Sequence, residues 1–246
     1  MLRKTVIVTG ASGGIGGATA REFARRGYNV ALTYCSHSTK ALEKEIIKEF
    51  GVEAKSFKLD QTNEENIKTC FKEIFASFDY IDAVVCNSGK AEKYDLLTKK
   101  TTKEIDSVLN VNLRGTILVN REALKYLTKQ KHGSIVNVSS MYAYAGGECE
   151  AVYTATKAGI IGLTQALAVE VAPLVRVNAV APGCTDTKMI GGLDEEERAN
   201  LIEQTPMKRM GQGEDMAKLI CFLASDEASF ITGECYRASG GVIKFN

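Results

Sequence analysis

Lys4-Thr-Val-Ile-Val8 runs directly into Thr9-Gly-Ala-Ser-Gly-Gly-Ile-Gly16, so a short apolar run is followed by a glycine-rich turn and the start of a helical pattern. In this arrangement, backbone N–H groups at a helix N-terminus can receive a pyrophosphate. We expect Gly10 to allow the sharp turn, Gly14 the close approach of phosphate, and Gly16 the tight packing of helix on strand. The stretch therefore predicts a dinucleotide-binding unit.

Short β-rich runs alternate with helical patterns along the rest of the chain. Strands are predicted at Thr5 to Val8, Val30 to Thr33, Lys55 to Lys58, Ile81 to Cys86, Ser134 to Val138, Val175 to Val180 and Cys235 to Ala238. Helices are predicted at Ile15 to Arg26, Thr39 to Phe50, Glu64 to Phe78, Thr102 to Lys129, Tyr153 to Val171, Glu195 to Glu203 and Gly213 to Ala224. This alternation predicts an α/β fold, a doubly wound parallel (Rossmann-type) sheet of about seven strands with helices on both faces.

Length and composition fit a single domain. The chain has 246 residues, of which 45% are apolar, and it contains no linker, repeat or low-complexity tract. We expect one domain over residues 1-246, in which residues 1-90 mainly bind the cofactor and residues 100-246 supply the catalytic and substrate half. The segment Thr185 to Gly213 follows a strand end and is rich in glycine and charge. It is predicted to form a flexible flap over substrate, with an ordinary surface excursion as the alternative.

Charge and cysteine content argue against several classes of function. The net charge is +1 without a long basic run, which argues against nucleic acid or an anionic membrane as the main partner. The apolar runs are too short for a membrane span or a signal-peptide core. The seven cysteines form no CxxC pair and the two histidines have no ligand-like neighbours, so we expect no metal site. A cytoplasmic protein with reduced thiols is predicted.

Tyr153 and Lys157 lie four residues apart at the start of a predicted helix, and Ser140 lies thirteen residues before the tyrosine. Residues i and i+4 share a helix face, so the ammonium of Lys157 can approach the phenol of Tyr153. A free tyrosine has a pKa near 10, and proton exchange near neutral pH requires that this pKa fall by about 3. A nearby lysine and a cationic nicotinamide could lower it. The residues suggest a carbonyl redox site beside a nicotinamide cofactor, with a surface pair as the alternative.

The end of the second strand bears on the choice of nucleotide. An acidic side chain about twenty residues after the glycine turn would bind the ribose 2′-hydroxyl of NAD. No Asp or Glu occurs between Glu22 and Glu43, and the strand ends instead in Tyr34-Cys-Ser-His-Ser38. The absence of an acidic side chain favours NADPH, because a 2′-phosphate would meet no repulsion and could bond to Ser36, His37 and Ser38. NADH remains the alternative. Asp60 is expected to bind the adenine amino group, to cap the next helix, or both.

In these residues the chain resembles the short-chain dehydrogenase/reductases over nearly its whole length. The resemblance implies that Tyr153 is the general acid/base and that Lys157 lowers its pKa and holds the nicotinamide ribose. Ser140, rather than Ser139, would orient the substrate carbonyl, and Asn112 would position a water for proton relay. A homotetramer is also implied. The implied cofactor contacts are Gly10, Ser12, Gly13, Gly14, Ile15, Gly16, Tyr34, Ser36, His37, Asp60, Gln61, Asn87, Ser88, Gly89, Tyr153, Lys157, Pro182, Gly183, Thr185 and Thr187.

Within that family the chain most resembles the β-ketoacyl-acyl-carrier-protein reductases of fatty acid synthesis. The similarity lies in length, in Asn110-Val-Asn-Leu113 and in Val177-Asn-Ala-Val-Ala-Pro-Gly183, whereas Ala238-Ser-Gly-Gly241 departs from the common pattern. The implied substrate is a 3-oxoacyl thioester on acyl carrier protein. Because that carrier is acidic, docking needs exposed basic side chains near the cleft, and Lys129 and Lys131 are candidates.

Three alternatives are open at this point. A similar reductase could act on another ketone, carried by a small molecule or attached to a protein. Glu148-Cys-Glu150 could then attract a cationic substrate, although a solvated loop is the simpler interpretation. A non-catalytic nucleotide sensor would have no reason to keep Asn112, Ser140, Tyr153 and Lys157 together. A nucleoside-phosphate hydrolase would need a lysine after the glycine turn, and none follows Gly16.

Overall fold

The computed structural model describes residues 3–242, and these form one seven-stranded parallel sheet with helices on both faces. The strands are β1 Thr5–Val8, β2 Asn29–Tyr34, β3 Ala54–Lys58, β4 Ala83–Cys86, β5 Ser134–Val138, β6 Arg176–Pro182 and β7 Cys235–Ala238. The helices are α1 Gly14–Arg25, α2 Lys40–Phe50, α3 Glu64–Ser77, α4 Thr102–Val108, α5 Thr116–Gln130, α6 Tyr142–Ala145, α7 Ala151–Val171, α8 Glu195–Gln204 and α9 Gly213–Ala224. The ends of the predicted domain, residues 1–2 and 243–246, lie outside the described residues.

The strand order is β3-β2-β1-β4-β5-β6-β7, which confirms the doubly wound prediction. The chain moves outward from β1 to β3 and then returns to pair β4 with the other edge of β1. Val8 at the end of β1 pairs with Leu32 on one side and with Val85 on the other. The connections diverge where the order reverses, so a crevice opens outside the carboxyl ends of β1 and β4.

Alternate residues of β1 pack against different helical layers. Val6 and Val8 share a buried cluster with Phe23 of α1, whereas Ile7 packs on the other face with Phe71 of α3. The side chains of β1 are buried on both faces, as expected for a parallel sheet covered by helices. Burying a side chain of this size contributes about 1.5 to 3 kcal/mol, so the core holds the strand ends at the crevice in place.

The predicted helix Thr102 to Lys129 is interrupted in the structure. A π-helical segment, Leu109–Gly115, lies between α4 and α5. Within it, Asn112 bonds through both side-chain polar atoms to the backbone of Lys90, at 2.9 Å and 3.0 Å. Gln61 packs against Gly115, where a Cβ would lie 2.8 Å from the Gln61 Cγ. These contacts join distant parts of the chain, and a single extra residue in a helical turn often marks a functional site.

Other boundaries differ by one to two residues. The predicted strand from Ile81 begins at Ala83, because the side chain of Gln130 bonds to both backbone polar groups of Ile81, at 3.3 Å and 2.9 Å. The strand predicted to end at Val180 continues to Pro182 as β6. Helix α7 begins at Ala151, two residues before the predicted start, so Tyr153 is the third residue of that helix. Within residues 3–242, no helix combines the length and apolar character needed to cross a bilayer.

Candidate active site

The glycine-rich turn lies at the carboxyl end of β1, beside the end of β4. Gly10 has φ of +64°, a left-handed conformation that favours glycine. The Asn87 side-chain amide donates to the carbonyls of Thr9 and Gly10, at 3.0 Å and 3.2 Å. The Thr9 hydroxyl in turn accepts from the backbone N–H groups of Asn87 and Ser88. Reciprocal bonds between the two strand ends therefore hold the turn.

The N-terminus of α1 has the features of an anion site. Gly13 is its N-cap and no side chain caps the helix, while Ser12, Gly13 and Gly14 are exposed. The first-turn N–H groups and the positive end of the helix dipole are available to a phosphate. A Cβ at Gly16 would overlap the carbonyl oxygen of Gly10 and lie 2.6 Å from Asn87 Nδ2. The residues present therefore fit a bound pyrophosphate.

The end of β2 carries polar side chains. Tyr34 is half-buried, and Ser36 and His37 are exposed, with Ser36 Oγ 3.0 Å from His37 Nδ1. The exposed hydroxyl and imidazole could bind a ribose 2′-phosphate, as the sequence predicts.

Asp60 and Gln61 make defined contacts within the protein. The Asp60 carboxylate accepts from the backbone N–H and hydroxyl of Thr62, at 2.9 Å and 2.7 Å. Asn63 is the N-cap of α3, so the capping role considered for Asp60 is wrong. Gln61 is buried and donates to the carbonyls of Val111, at 2.6 Å, and Ser88, at 3.3 Å. Its amide thereby ties the loop after β4 to the π-helical segment.

Ser140, Tyr153 and Lys157 meet at the carboxyl end of β5. The Ser140 hydroxyl is hydrogen-bonded to Tyr153. The ammonium of Lys157 donates to the carbonyl of Val138 at 2.9 Å and lies 5.5 Å from the centre of the Tyr153 ring. Ser139 instead donates to the Lys157 carbonyl at 2.7 Å, which fastens α7 to β5. The geometry thus distinguishes the neighbouring serines, because Ser140 bonds to the phenol and Ser139 to the helix backbone.

Burial controls the proton affinities of Tyr153 and Lys157. Loss of hydration raises the pKa of Tyr153 to about 12, although the hydrogen bond from Ser140 opposes the increase. Burial also lowers the pKa of Lys157 to about 8. For the protein's own groups, burial is the dominant influence on the tyrosine pKa, and the lowering effect expected of Lys157 together with a cationic nicotinamide stays a prediction. Near neutral pH these groups hold the phenol protonated, so it is in the proton-donating state.

Asn112 lies beneath this group, in the π-helical segment. Its side chain is fully buried and committed to the backbone of Lys90, and its carbonyl accepts from the hydroxyl of Thr116 at 2.7 Å. Gly89 lies between Asn112 and Lys157, because a Cβ there would be 3.4 Å from Asn112 Oδ1 and 3.6 Å from Lys157 Nζ. The three predicted residues are therefore neighbours, although the sequence separates them widely.

A cavity of about 450 Å³ opens beside the phenol. The predicted residues that line it are Ile15, Asn87, Gly89, Ser140, Tyr153, Lys157, Pro182, Gly183, Thr185 and Thr187. The remaining wall is largely apolar and includes Val138, Met141, Tyr142, Met189, Ile190, Leu193 and Leu201. The segment 185–213 supplies several of these residues, and it touches the glycine turn, since a Cβ on Gly14 would lie 2.7 Å from the Thr187 Cγ2.

The structure places the charged residues that the sequence suggested for the cleft in different surroundings. Lys129 and Lys131 lie at the end of α5, directly before the amino end of β5, so they are at the opposite edge of the sheet from Ser140. Of the two carboxylates, Glu148 is exposed and Glu150 lines the cavity. Burial raises the pKa of Glu150, and nearby Glu92 raises it further.

Residues 3–242 contain no group of three or more His, Cys, Asp or Glu side chains suited to a metal ion.

Sequence reasoning missed Glu92 and Lys100. They form an ion pair of 2.6 Å in which both side chains are 2% exposed. Glu92 also accepts from the backbone N–H of Tyr153 at 2.6 Å. Both residues lie in an irregular segment rich in lysine, and no periodicity there distinguishes a buried pair from solvated charges.

Comparison with known proteins finds similarity over nearly the whole chain. Residues 10–243 match a family model described as enoyl-(acyl carrier protein) reductase. The chain is 40% identical over 241 residues to the 3-oxoacyl-(acyl-carrier-protein) reductase FabG of Aquifex aeolicus, covering 97% of each protein. It is similar to the structure of ElxO with NADP bound, with TM-score 0.92, 32% identity and coverage of 98% and 99%. Levodione reductase gives TM-score 0.93, 28% identity and coverage of 98% of each chain.

Proposed function

The chain belongs to the short-chain dehydrogenase/reductase family, and from that premise we propose that it is an NADPH-dependent reductase whose ketone substrate is a 3-oxoacyl thioester on acyl carrier protein. The observation that carries this proposal is the meeting of Ser140, Tyr153 and Lys157 at the wall of a largely apolar cavity. A reducible carbonyl bound there would lie beside a protonated phenol. The apolar walls suit an acyl chain.

NADPH, when bound, supplies the hydride that adds to the ketone carbon. The protein's own part is to orient the carbonyl and to move the proton. Ser140 donates a hydrogen bond to the oxygen as negative charge develops, and Tyr153 transfers its phenolic proton to that oxygen. The resulting phenolate is stabilised by the nearby ammonium of Lys157, which is about 5.5 Å from the ring centre. The alcohol product then carries the hydride on carbon and the proton on oxygen.

The N-terminus of α1 is proposed to hold the pyrophosphate, and Lys157 the nicotinamide ribose. The phosphates would be surrounded by Gly10, Ser12, Gly13, Gly14, Ile15 and Gly16. The adenosine would be bordered by Tyr34, Ser36, His37, Asp60 and Gln61. The nicotinamide half would be bordered by Asn87, Ser88, Gly89, Pro182, Gly183, Thr185 and Thr187. Support for NADPH comes from the exposed Ser36 and His37 at the end of β2, and from the NADP bound to ElxO. Asn112, which lies in the π-helical segment, is proposed to position a water molecule for proton relay.

Carrier docking requires exposed cations at the mouth of the cavity, and Lys129 and Lys131 lie at the wrong edge of the sheet. Lys188 is exposed and lies between Thr187 and Met189, both of which line the cavity. Lys90 is also exposed and itself lines the cavity. We assign docking of the acidic carrier to these two lysines, because opposite charges steer such encounters.

A second candidate substrate is a ketone without a carrier, either a small molecule or a group attached to a protein. The observation that favours it is Glu150, a half-buried carboxylate in the cavity wall that would attract a cation near the reacting carbonyl. A structure similar to this chain is that of levodione reductase, whose name indicates reduction of a ketone on the same fold.

The cellular arrangement forms part of the same proposal. Val169 on α7 is 84% exposed and Ile117 on α5 is 40% exposed, which supports subunit contacts in a homotetramer. The seven cysteines are free thiols, which supports a cytoplasmic location. We further propose that residues 1-90 form the cofactor half and residues 100-246 the substrate half of one domain, and that residues 185-213 close over substrate.

Initial rates of NADPH and NADH oxidation with an acetoacetyl thioester test the function. We expect turnover with NADPH, and we expect Tyr153→Phe to lose most turnover while keeping nucleotide affinity, because the phenol donates the proton but makes few of the cofactor contacts. An active Tyr153→Phe protein would refute the assignment. Turnover that appears only with a cationic ketone would select the second candidate.

A further inference from the structure

The start of the catalytic helix is held by a side chain from a distant loop. Tyr153 is the third residue of α7, a position whose N–H has no partner within the helix. The N-cap residue, Glu150, makes no side-chain capping bond. The acceptor for the Tyr153 N–H is instead Glu92, which lies 61 residues away in sequence and accepts at 2.6 Å. A carboxylate at this end also complements the helix dipole.

Lys100 completes this arrangement. Its ammonium is 2.6 Å from the second carboxylate oxygen of Glu92 and donates to the carbonyls of Lys93, at 2.6 Å, and Cys149, at 3.0 Å. Cys149 has φ of +58°, in the left-handed region, just before α7 begins. Glu92 and Lys100 therefore fasten both the first turn of the helix and the bend that leads into it.

We propose that Glu92 and Lys100 are positioning residues that set the distance of the Tyr153 phenol from the substrate carbonyl. The inference rests on the proposed ketone reduction. The rest of α7 is anchored independently, through the bonds from Lys157 to Val138 and from Ser139 to Lys157. Loss of the Glu92 acceptor would thus loosen the first turn, which carries Tyr153, more than the turn that carries Lys157. Glu92 contacts the backbone of Tyr153 and acts through it.

The pair can be tested with two variants of equal charge. Glu92→Gln with Lys100→Met removes the ion pair but keeps an oxygen that can accept from the Tyr153 N–H. Glu92→Leu with Lys100→Met removes the ion pair and the acceptor. With the acetoacetyl thioester as substrate, we expect kcat of the Gln variant to stay within about threefold of wild type. The Leu variant should fall at least about tenfold in kcat, with the Kd for NADPH changed less than about threefold. Glu148→Gln, at an exposed position in the loop that leads into α7, is the control.

Equal kcat values for the two double variants would overturn the proposal, and so would a parallel loss of NADPH affinity, which indicates general disruption. If the Leu variant does not fold, Glu92→Asp draws the carboxylate back by one methylene while keeping its charge, and an unchanged kcat would then overturn it. Hydrogen exchange of the Tyr153 amide gives a readout that needs no substrate. We expect exchange at least about tenfold faster in the Leu variant than in the Gln variant. A wild-type protein that shows this protection but reduces no ketone would reject the proposed function and leave the positioning intact.

Discussion

Replacement of Lys157 by Met should make the pH dependence of stability measurably different from that of the wild-type protein. Burial lowers the lysine pKa from the ordinary 10.5 to about 8. This gap corresponds to about 3 kcal/mol of stability lost when the charged ammonium is buried. The penalty is complete below the folded pKa, because Lys157 is then charged in both folded and unfolded chains.

Between about pH 8 and pH 10.5 the unfolded chain binds more protons at Lys157 than the folded chain does. Stability from this group therefore rises with pH through that window, and at about pH 10 less than about 1 kcal/mol of the penalty remains. Lys157→Met has no such titration. The stability of the variant relative to wild type should therefore decline by about 2 kcal/mol from pH 7 to pH 10. Loss of the bond to Val138 costs about 1 kcal/mol at every pH and leaves this slope unchanged.

Urea unfolding at several pH values, without nucleotide, measures this difference. The buried thiols Cys70 and Cys86, whose pKa values are raised to about 12, destabilise the folded state above about pH 9. They do so in both proteins, so their contribution cancels in the comparison. Lys129→Met, at an exposed lysine, controls for the loss of a lysine charge. A stability difference that stays constant from pH 7 to pH 10 would refute the reasoning, because it would mean that Lys157 keeps the same pKa in both states.

Two further predictions concern the cofactor half. Gly16→Ala should weaken NADPH binding at least about tenfold and lower Tm, because the added Cβ overlaps the Gly10 carbonyl and forces the turn to move. Calorimetric titration measures the affinity and thermal unfolding measures Tm. An unchanged affinity for NADPH would contradict this prediction. His37→Asp should lower kcat/KM for NADPH at least about tenfold and affect NADH much less, because a carboxylate at this exposed position repels a 2′-phosphate. An equal loss with both nucleotides would contradict that role for the end of β2.

Local sequence patterns predicted the elements well where neighbouring residues decide the structure. The strands Thr5–Val8, Ser134–Val138 and Cys235–Ala238 and the helix Gly213–Ala224 begin and end where the sequence predicts. Helix periodicity, however, predicts a continuous helix over residues 109–115, where the structure has a π-helical segment. The cause is the bonding of Asn112 to Lys90, a contact between segments that no local pattern contains.

The charged residues near the cleft also show the difference between what local sequence patterns predict and what the packed chain decides. Lys129 and Lys131 are basic and exposed, but they precede the amino end of β5, and the site lies at the carboxyl end of that strand. Glu92 and Lys100 look like solvated charges in sequence and are buried in the structure. The sequence predicts that Lys157 and a cationic nicotinamide lower the tyrosine pKa, whereas burial of the phenol raises it.

The amino-acid sequence alone determined the alternation of strands and helices, the glycine turn, and which residue types could carry hydride and proton chemistry. These depend on interactions within a few residues, whose period and steric limits are the same wherever the segment lies. Tertiary structure alone decided which charges are buried, how strongly burial shifts the pKa values of Tyr153 and Lys157, and which carboxylate holds the start of α7. Desolvation and long-range contacts set those properties, and both exist only once the chain has packed.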